Sequence, residues 1–93
     1  MLVLGDITVE RDRQEKLCKA GKFPWTCANV QHNAFEKLPI LGEEVGEVSR
    51  VMSEYLIGNL TGDERNSELY KELIQVAAVA AAWCEALIQE RAR

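Results

Sequence analysis

The chain has 93 residues, of which 47% are hydrophobic, 28% charged and 6% aromatic. A chain of this length forms one domain and buries only about 60 to 65% of its unfolded surface, so a lone monomer has a small core. The net charge of −4, from 15 acidic and 11 basic residues, argues against a nucleic-acid polymer as partner, because no cationic excess neutralises phosphates.

The N-terminal segment, MLVLGDITVERDR, has a short apolar start and then acids, unlike the basic region of a signal peptide. A strongly polar first helix is predicted over residues 8–20, with Gly21 as its stop. Three cysteines at positions 18, 27 and 84 form no CxxC pair, which favours reduced thiols. Because the longest apolar run, residues 76–84, is too short to span a bilayer, we expect a soluble, cytoplasmic protein without a membrane partner.

Residues 22–32, KFPWTCANVQH, break the helical period and predict a loop that packs against the core. Asn33 then offers an N-cap, with Glu36 three residues on as in a capping box. Pro39 lies inside the helix that follows, so either this helix kinks there or its regular part starts near Leu38. The helix is predicted to run to about Ile57, with one buried apolar stripe: Leu38, Leu41, Val45, Val48, Met52 and Tyr55.

The polar segment GNLTGDERNS predicts a turn into an antiparallel third helix, capped by Asn66 or Ser67 and ending near Gln89. Its alanine-rich side permits the close approach of another helix. Its predicted stripe is Leu69, Leu73, Val76, Ala80, Trp83 and Leu87. We therefore predict an all-α antiparallel helical bundle, one domain over residues 1–93, completed by oligomerisation because three helices leave apolar surface uncovered.

Acidic side chains border both predicted stripes. On the second helix, EEVGE contains Glu43, Glu44 and Glu47, and at about 100° per residue Glu44 lies beside the stripe. On the third helix, Glu72 and Gln75 repeat this geometry. Packing the stripes together would gather Glu44, Glu47, Glu72 and Gln75 around one pocket, where oxygen ligands suit Mg²⁺ and a cation relieves repulsion. The alternative is that EEVGE is a solvated helix face.

Glu44 and Glu47 match an ExxE motif, and Glu72 begins a second motif that is usually ExxD. With the surrounding segments RDRQEKLCKAGKFPWTCA, EKLPILGEEVGEVSRVM and KELIQVAAVAAAW, the chain resembles the MazG-like all-α nucleoside triphosphate pyrophosphohydrolases of phages and mobile gene cassettes, over residues 10–87. The resemblance implies hydrolysis of a (deoxy)nucleoside triphosphate to monophosphate and pyrophosphate with Mg²⁺, or Mn²⁺ in its place. It implies Glu44, Glu47 and Glu72 as metal ligands, and Glu43 as a further ligand or the base that orients the water.

Gln75 departs from that motif, because it stands where the family has aspartate. An amide oxygen still coordinates a hard cation, but the site loses one negative charge and binds metal more weakly. Two alternatives therefore stay open: a catalytically weak or inactive nucleotide- or protein-binding module of the same fold, and a structural oligomerisation domain whose acids are only surface.

A triphosphate also needs cationic contacts, which Lys37, Arg50 and Lys71 on the long helices, or basic residues of the first helix, could supply. For any one of them, a solvated surface charge is the default interpretation. Trp25 and Phe23 could stack on a base, or fill the core beneath the loop. The predicted ligand is thus a nucleoside triphosphate, and the predicted assembly is a homodimer or homotetramer.

Overall fold

The computed structural model describes residues 2–92, so Met1 and Arg93 of the predicted domain lie outside the described residues. Three helices follow in chain order: α1, Leu2–Lys19; α2, Ala34–Leu56; and α3, Gly62–Arg91. Since residues 2–92 contain no strand, the predicted all-α class is confirmed. α2 and α3 form a hairpin, and α1 packs on α3. Tyr70 donates to Asp6 and Arg11 to Glu85, so α1 and α3 run in the same direction.

α1 begins earlier than the sequence predicts and ends where expected. It starts at Leu2, because the first residues contain no proline and the single Gly5 does not interrupt the helix. At its end Gly21 adopts a φ of 78°, while Gly21 N donates to Cys18 O at 3.0 Å and Lys22 N to Leu17 O at 2.9 Å. These two bonds form the Schellman motif that a left-handed glycine permits.

The predicted start of α2 is confirmed. Glu36 N donates to Asn33 Oδ1 at 3.0 Å and Asn33 N to Glu36 Oε1 at 3.2 Å, which completes the capping box. Because the helix is continuous from Ala34, the later start near Leu38 is wrong. Pro39 has no N–H for the carbonyl of Phe35, but Phe35 is 87% exposed, so water reaches this end of the helix.

The predicted cap of α3 is wrong. Thr61, rather than Asn66 or Ser67, caps the helix: Glu64 N donates to Thr61 Oγ1 at 3.1 Å, and Thr61 N donates to Glu64 Oε1 at 2.9 Å. The turn is therefore shorter than the polar segment suggests, and Gly58 with a φ of 88° ends α2. A Thr-x-x-Glu capping box is a stronger start signal than polar composition, and it overrides the low helix propensity of Gly62.

The most deeply buried faces of α2 and α3 lie one residue before the predicted stripes, so the stripes are buried only in part: Leu41 and Trp83 pack against the core, whereas every second stripe position of α2 is exposed. On α2, Leu38, Val45 and Met52 are exposed, whereas Lys37 and Val51 are 2% and 0% exposed. On α3 the residues that precede the stripe positions are buried instead: Glu72, Val79 and Ala86. One residue turns a helix by about 100°, so α1 and the loop cover a different face from the one the apolar pattern marks. We call this buried face the seam.

The loop between α1 and α2 packs as predicted. Buried Cys27 forms a cluster with Val79 and Ala82 of α3, and partly buried apolar side chains pack around it: Trp25, Ala28, Ile40, Leu41 and Trp83. The loop therefore supplies part of the core that three helices alone would lack.

A buried arginine ties α1 to α3 and to the loop. Arg11 is 8% exposed, and its Nη2 lies 2.8 Å from Glu15 Oε1 and 3.0 Å from Glu85 Oε2. Thr26 Oγ1 in the loop donates to Glu15 Oε1 at 2.8 Å. We call this set of residues the arginine cluster, and it fixes the position of α1 over the hairpin.

Among the helices within residues 2–92, α3 is long and apolar enough to cross a membrane by length and composition alone, a test that core helices of soluble proteins also pass. The expectation of a soluble protein without a membrane partner stays a prediction.

Candidate functional site

Three of the predicted site residues meet on the seam. Glu44 faces α3 from α2, and Glu72 and Gln75 lie one turn apart on α3. In the amide orientation that satisfies all three groups, Gln75 Nε2 donates to Glu44 Oε2 and to Glu72 Oε2, each at 3.1 Å. Glu72 is only 6% exposed, which is rare for a glutamate. We call these three residues the carboxylate site.

Several glutamates lie close together around the carboxylate site, and their negative charges act on one another. Burial raises the pKa of Glu44, and the negative charges of Glu72, Glu10, Glu47 and Glu43 raise it further. A bound cation would reverse this effect on Glu44. Glu10 comes from α1, and we did not predict it as a site residue, because α1 has too few apolar residues to show which side faces the hairpin.

Two of the surrounding glutamates already have cationic partners. Arg13 binds Glu10 through two bonds, Nε to Oε1 at 2.7 Å and Nη2 to Oε2 at 2.6 Å. Arg50 Nε donates to Glu47 Oε2 at 2.8 Å on the exposed side of α2. The structure therefore brings Glu44, Glu72 and Gln75 together, while Glu47 is held by Arg50.

The side chains of the carboxylate site can be compared with the ligands that a metal ion requires. In the part of the chain that the structure describes, no group of three His, Cys, Asp or Glu side chains is arranged to hold a metal ion. Magnesium, however, is usually bound by only one or two protein carboxylates, with water and substrate phosphate completing its six ligands. Glu44 and Glu72 meet that requirement, and Gln75 could add its amide oxygen by turning the amide. The donors fit a sparsely ligated magnesium ion and do not fit a full protein cage.

A cavity of about 280 Å³ opens beside the carboxylate site, between the loop, α1 and the hairpin. Phe23, Trp25 and Ile40 contribute to its apolar wall, and Glu43 and Glu44 lie on its polar side. We call it the loop cavity. Its size is close to the lower limit for small-molecule sites, which are mostly apolar with a few converging polar groups.

Trp25 is held in this wall by a stacking contact. Its ring stacks on His32 with centroids 3.9 Å apart and an angle of 9° between the planes. His32 Nδ1 lies 2.7 Å from Glu36 Oε2, so the capping glutamate of α2 orients the histidine. Trp25 both packs against the core cluster and lines the loop cavity, so the two roles predicted for it are compatible.

A second hollow, of about 520 Å³, lies between α1 and α3 and is lined by Arg13, Tyr70, Lys71 and Gln75, among others. We call it the α1–α3 hollow. Glu44 lines the loop cavity and Gln75 lines this hollow, so the contact between their side chains lies between the two spaces.

The four residues predicted to contact substrate lie in different places: two line hollows, one is buried and one is paired with a glutamate. Lys71 lines the α1–α3 hollow, and Trp25 lines the loop cavity. Lys37 lies on the seam at 2% exposure, where a phosphate of a bound nucleotide does not reach it without movement of the chain. Arg50 is paired with Glu47. Burial raises the pKa of the Cys27 thiol, which opposes a nucleophilic role.

Comparison with known proteins yields no significant match, whether to a family model, to a curated protein or to a solved structure. The resemblance to MazG-like enzymes stays a prediction, and the functional argument depends on the residues of the site.

Proposed function

We propose that this chain is a magnesium-dependent nucleoside triphosphate pyrophosphohydrolase of the MazG-like type, which releases pyrophosphate and a (deoxy)nucleoside monophosphate. The observation that carries the proposal is the meeting of Glu44 and Glu72, bridged by Gln75, beside a cavity walled by Trp25. A nucleotide has an aromatic base and an anionic phosphate chain. An apolar aromatic wall next to oxygen donors for a cation suits both parts.

Glu44 and Glu72 would hold the ion, with the amide oxygen of Gln75 as a further ligand and Mn²⁺ as a substitute for Mg²⁺. When bound, such an ion neutralises phosphate charge and lowers the pKa of a bound water. Glu43 lines the loop cavity next to Glu44, where it would accept the proton of the attacking water. Glu47, also expected as a ligand from the ExxE motif, would first have to release Arg50.

The other side chains around the site would bind the substrate. Trp25, already stacked on His32 by one face, would offer a flat surface to the base. Lys71 in the α1–α3 hollow would attract the terminal phosphates by charge, and Arg13 would add to this once released from Glu10. The base would thus lie on the loop side of the carboxylate site, and the leaving pyrophosphate on the α1–α3 side.

A homodimer or homotetramer is part of this proposal, and the exposed stripes support it. Leu38, Val45 and Met52 repeat every seven residues on α2 and are 58%, 49% and 37% exposed. Leu73 and Leu87 on α3 are 52% and 48% exposed. Apolar side chains that repeat at this spacing are typical of a helical packing surface, and a second copy of the chain would cover them.

We further propose that the protein acts in the cytoplasm. Its three cysteines are free, as in a reducing compartment. On α3, Glu72 is buried beside Gln75, and Glu85 pairs with Arg11 of α1.

The proposal is tested by pyrophosphate release from canonical and modified deoxynucleoside triphosphates, with Mg²⁺ and then Mn²⁺. The wild type is compared with Glu44→Ala and with Glu90→Ala, a matched change at an exposed position on α3. We expect turnover that needs the metal and Glu44 and is unaffected at Glu90. No release from a folded wild type across the panel would refute the enzyme.

A nucleotide-binding module without turnover is the second candidate. It is favoured by Gln75, which leaves only two carboxylates in the carboxylate site. Saturable nucleotide binding with no product over a long incubation would support it. A purely structural domain is distinguished from both, because Mg²⁺ would leave its melting temperature unchanged.

A further inference from the structure

We infer that Arg13 selects the ligand by the length of its phosphate chain, because the ion pair of Arg13 with Glu10 separates the loop cavity from the α1–α3 hollow. The inference rests on the proposed function and names a specificity-determining residue for it. A ligand confined to the loop cavity leaves the ion pair intact, whereas a triphosphate that extends into the hollow takes Arg13 away from Glu10.

The Glu10–Arg13 pair lies where the two spaces meet. Among residues 2–92, these two residues line both the loop cavity and the α1–α3 hollow. The loop cavity alone, at about 280 Å³, lies just below the range of about 300–1,000 Å³ that is typical of small-molecule sites, and together with the hollow of about 520 Å³ it lies well inside that range. The two spaces therefore suit one elongated ligand.

Arg13 is the partner of this pair that can move. Its side chain is 50% exposed and that of Glu10 is 11% exposed, so the arginine lies on the solvent side of the glutamate. Because the two residues are three apart on α1, the pair opens by rotation of the Arg13 side chain, without movement of the backbone. Arg11 differs in both respects, since its side chain is 10% exposed and binds both Glu15 and Glu85.

The charges of the α1–α3 hollow show which end of a ligand lies there. Its two acids already have partners, since Glu10 binds Arg13 and Asp6 accepts a hydrogen bond from Tyr70. Lys71 lines the hollow, is exposed and makes no ion pair within residues 2–92. An anionic chain that enters the hollow is attracted by Lys71 and offers phosphate oxygens to the two-donor fork with which Arg13 now holds a carboxylate.

The two members of the ion pair therefore act on binding in opposite directions. Arg13 favours a triphosphate, and Glu10 competes with the triphosphate for Arg13. A monophosphate has no further phosphates to reach the hollow, so neither residue changes its affinity. Once a triphosphate is cleaved, Arg13 returns to Glu10 and no longer retains the product in the loop cavity.

The experiment measures the affinity of the full chain for the four canonical deoxynucleoside monophosphates and for their α,β-methylene triphosphate analogues, whose P–C–P bridge resists cleavage, by isothermal titration calorimetry with Mg²⁺. Arg13→Gln should bind the analogues at least about tenfold more weakly, as expected for the loss of a charge-assisted hydrogen bond, with unchanged affinity for monophosphates. Glu10→Gln should bind the analogues about two- to fivefold more tightly, because no partly exposed ion pair has to be broken. The matched controls, Arg91→Gln and Glu90→Gln at exposed positions near the end of α3, should change neither affinity.

The double variant separates this role of Arg13 from a general effect of charge. In the Arg13→Gln background, Glu10→Gln should give no further gain, because the residue for which Glu10 competes is absent. An equal gain in that background would assign the effect to the lost negative charge alone and overturn the inference. Arg13→Lys, which keeps the charge but not the two-donor fork, replaces the glutamine variant if that variant does not fold.

The outcomes distinguish this inference from the proposed function. The expected affinities without pyrophosphate release from ordinary triphosphates would support the role of Arg13 and refute the enzyme. Turnover by a wild type whose preference for triphosphate over monophosphate is unchanged in Arg13→Gln would overturn the inference and leave the enzyme standing. A folded wild type that binds none of the analogues would overturn the inference, and it would also refute the enzyme if it releases no pyrophosphate.

Discussion

The two polar clusters buried around α3 differ in how their charges are compensated. In the arginine cluster, one guanidinium binds Glu15 and Glu85, and the loop hydroxyl of Thr26 adds a further bond. In the carboxylate site, Glu44 and Glu72 share only the neutral amide of Gln75. Buried charges stabilise a fold only when they are paired, and two unpaired like charges oppose folding. The arginine cluster is therefore a structural tie, whereas the carboxylate site has no cationic side chain among its three residues, which supports the proposal that it binds a cation.

The largest effect is expected from substitutions that remove a carboxylate of the carboxylate site. Glu44→Ala or Glu72→Ala should lower pyrophosphate release at least about a hundredfold, because each removes one of the two carboxylates proposed to hold the ion. Neither variant should lose stability in metal-free buffer, since each relieves repulsion. The check is a kinetic assay combined with urea unfolding of the same preparations. A variant that is inactive only because it is unfolded would contradict this assignment.

The arginine cluster should respond in the opposite way. Arg11→Met keeps the length of the side chain but leaves Glu15 and Glu85 without their cation. We expect a loss of about 2 kcal/mol in the free energy of unfolding, at the lower end for a broken buried pair because both acids are partly exposed. Metal binding per folded molecule should not change. Arg91→Met, at an exposed position near the end of α3, is the control, and equal losses in both variants would contradict a special role for Arg11.

The difference between the two clusters also shows what local sequence signals can and cannot predict. Asn33 and Glu36 were predicted as a cap because both partners lie within four residues of each other. Thr61 and Glu64 carry the same signal, but the polar composition around them predicts a turn. A capping-box motif is sufficient to predict where a helix starts, provided that it is given more weight than the polar composition of the segment.

Tertiary contacts were harder to predict from the same sequence. The apolar periods of α2 and α3 mark the wider stripes, but they do not indicate which face α1 and the loop will cover, so the seam lies one residue away. The meeting of Glu44, Glu72 and Gln75 was predictable because helical geometry places all three beside the stripes. Glu10 was not predictable, since the polar sequence of α1 marks no inner face.

Binding of a cation should change the carboxylate site from destabilising to stabilising for the folded chain. Magnesium at about ten times its dissociation constant should raise the free energy of unfolding by about 1.4 kcal/mol, since it binds the folded chain only. The shift should vanish in Glu44→Ala and persist in Arg11→Met. Thermal unfolding with and without Mg²⁺, at matched ionic strength in KCl, is the measurement. An equal shift in both variants would instead mean that acidic surface binds the ion.

The smallest expected effect is the pH dependence that the crowded acids impose on the metal-free protein. Burial and the neighbouring glutamates raise the pKa of Glu44 above its ordinary value of 4.5, so the folded chain keeps this proton to a higher pH than the unfolded chain. Between 4.5 and the raised pKa the folded state binds more protons, and its free energy of unfolding falls as pH rises through that window. Above the raised pKa, the contribution of Glu44 to the free energy of unfolding no longer changes with pH.

Glu44→Gln removes this proton equilibrium while it keeps the shape of the side chain. In urea unfolding with a chelator, the stability of the wild type relative to Glu44→Gln should be highest near pH 4 and should decline as pH rises. The opposite slope is expected from Glu36, whose pKa is lowered by its bond with His32, so Glu36→Gln is the control for sign. With saturating Mg²⁺ the wild-type decline should disappear, because the ion favours the ionised carboxylates. A difference that is flat with pH in metal-free buffer would mean that Glu44 does not share the unpaired charge that distinguishes the carboxylate site from the arginine cluster.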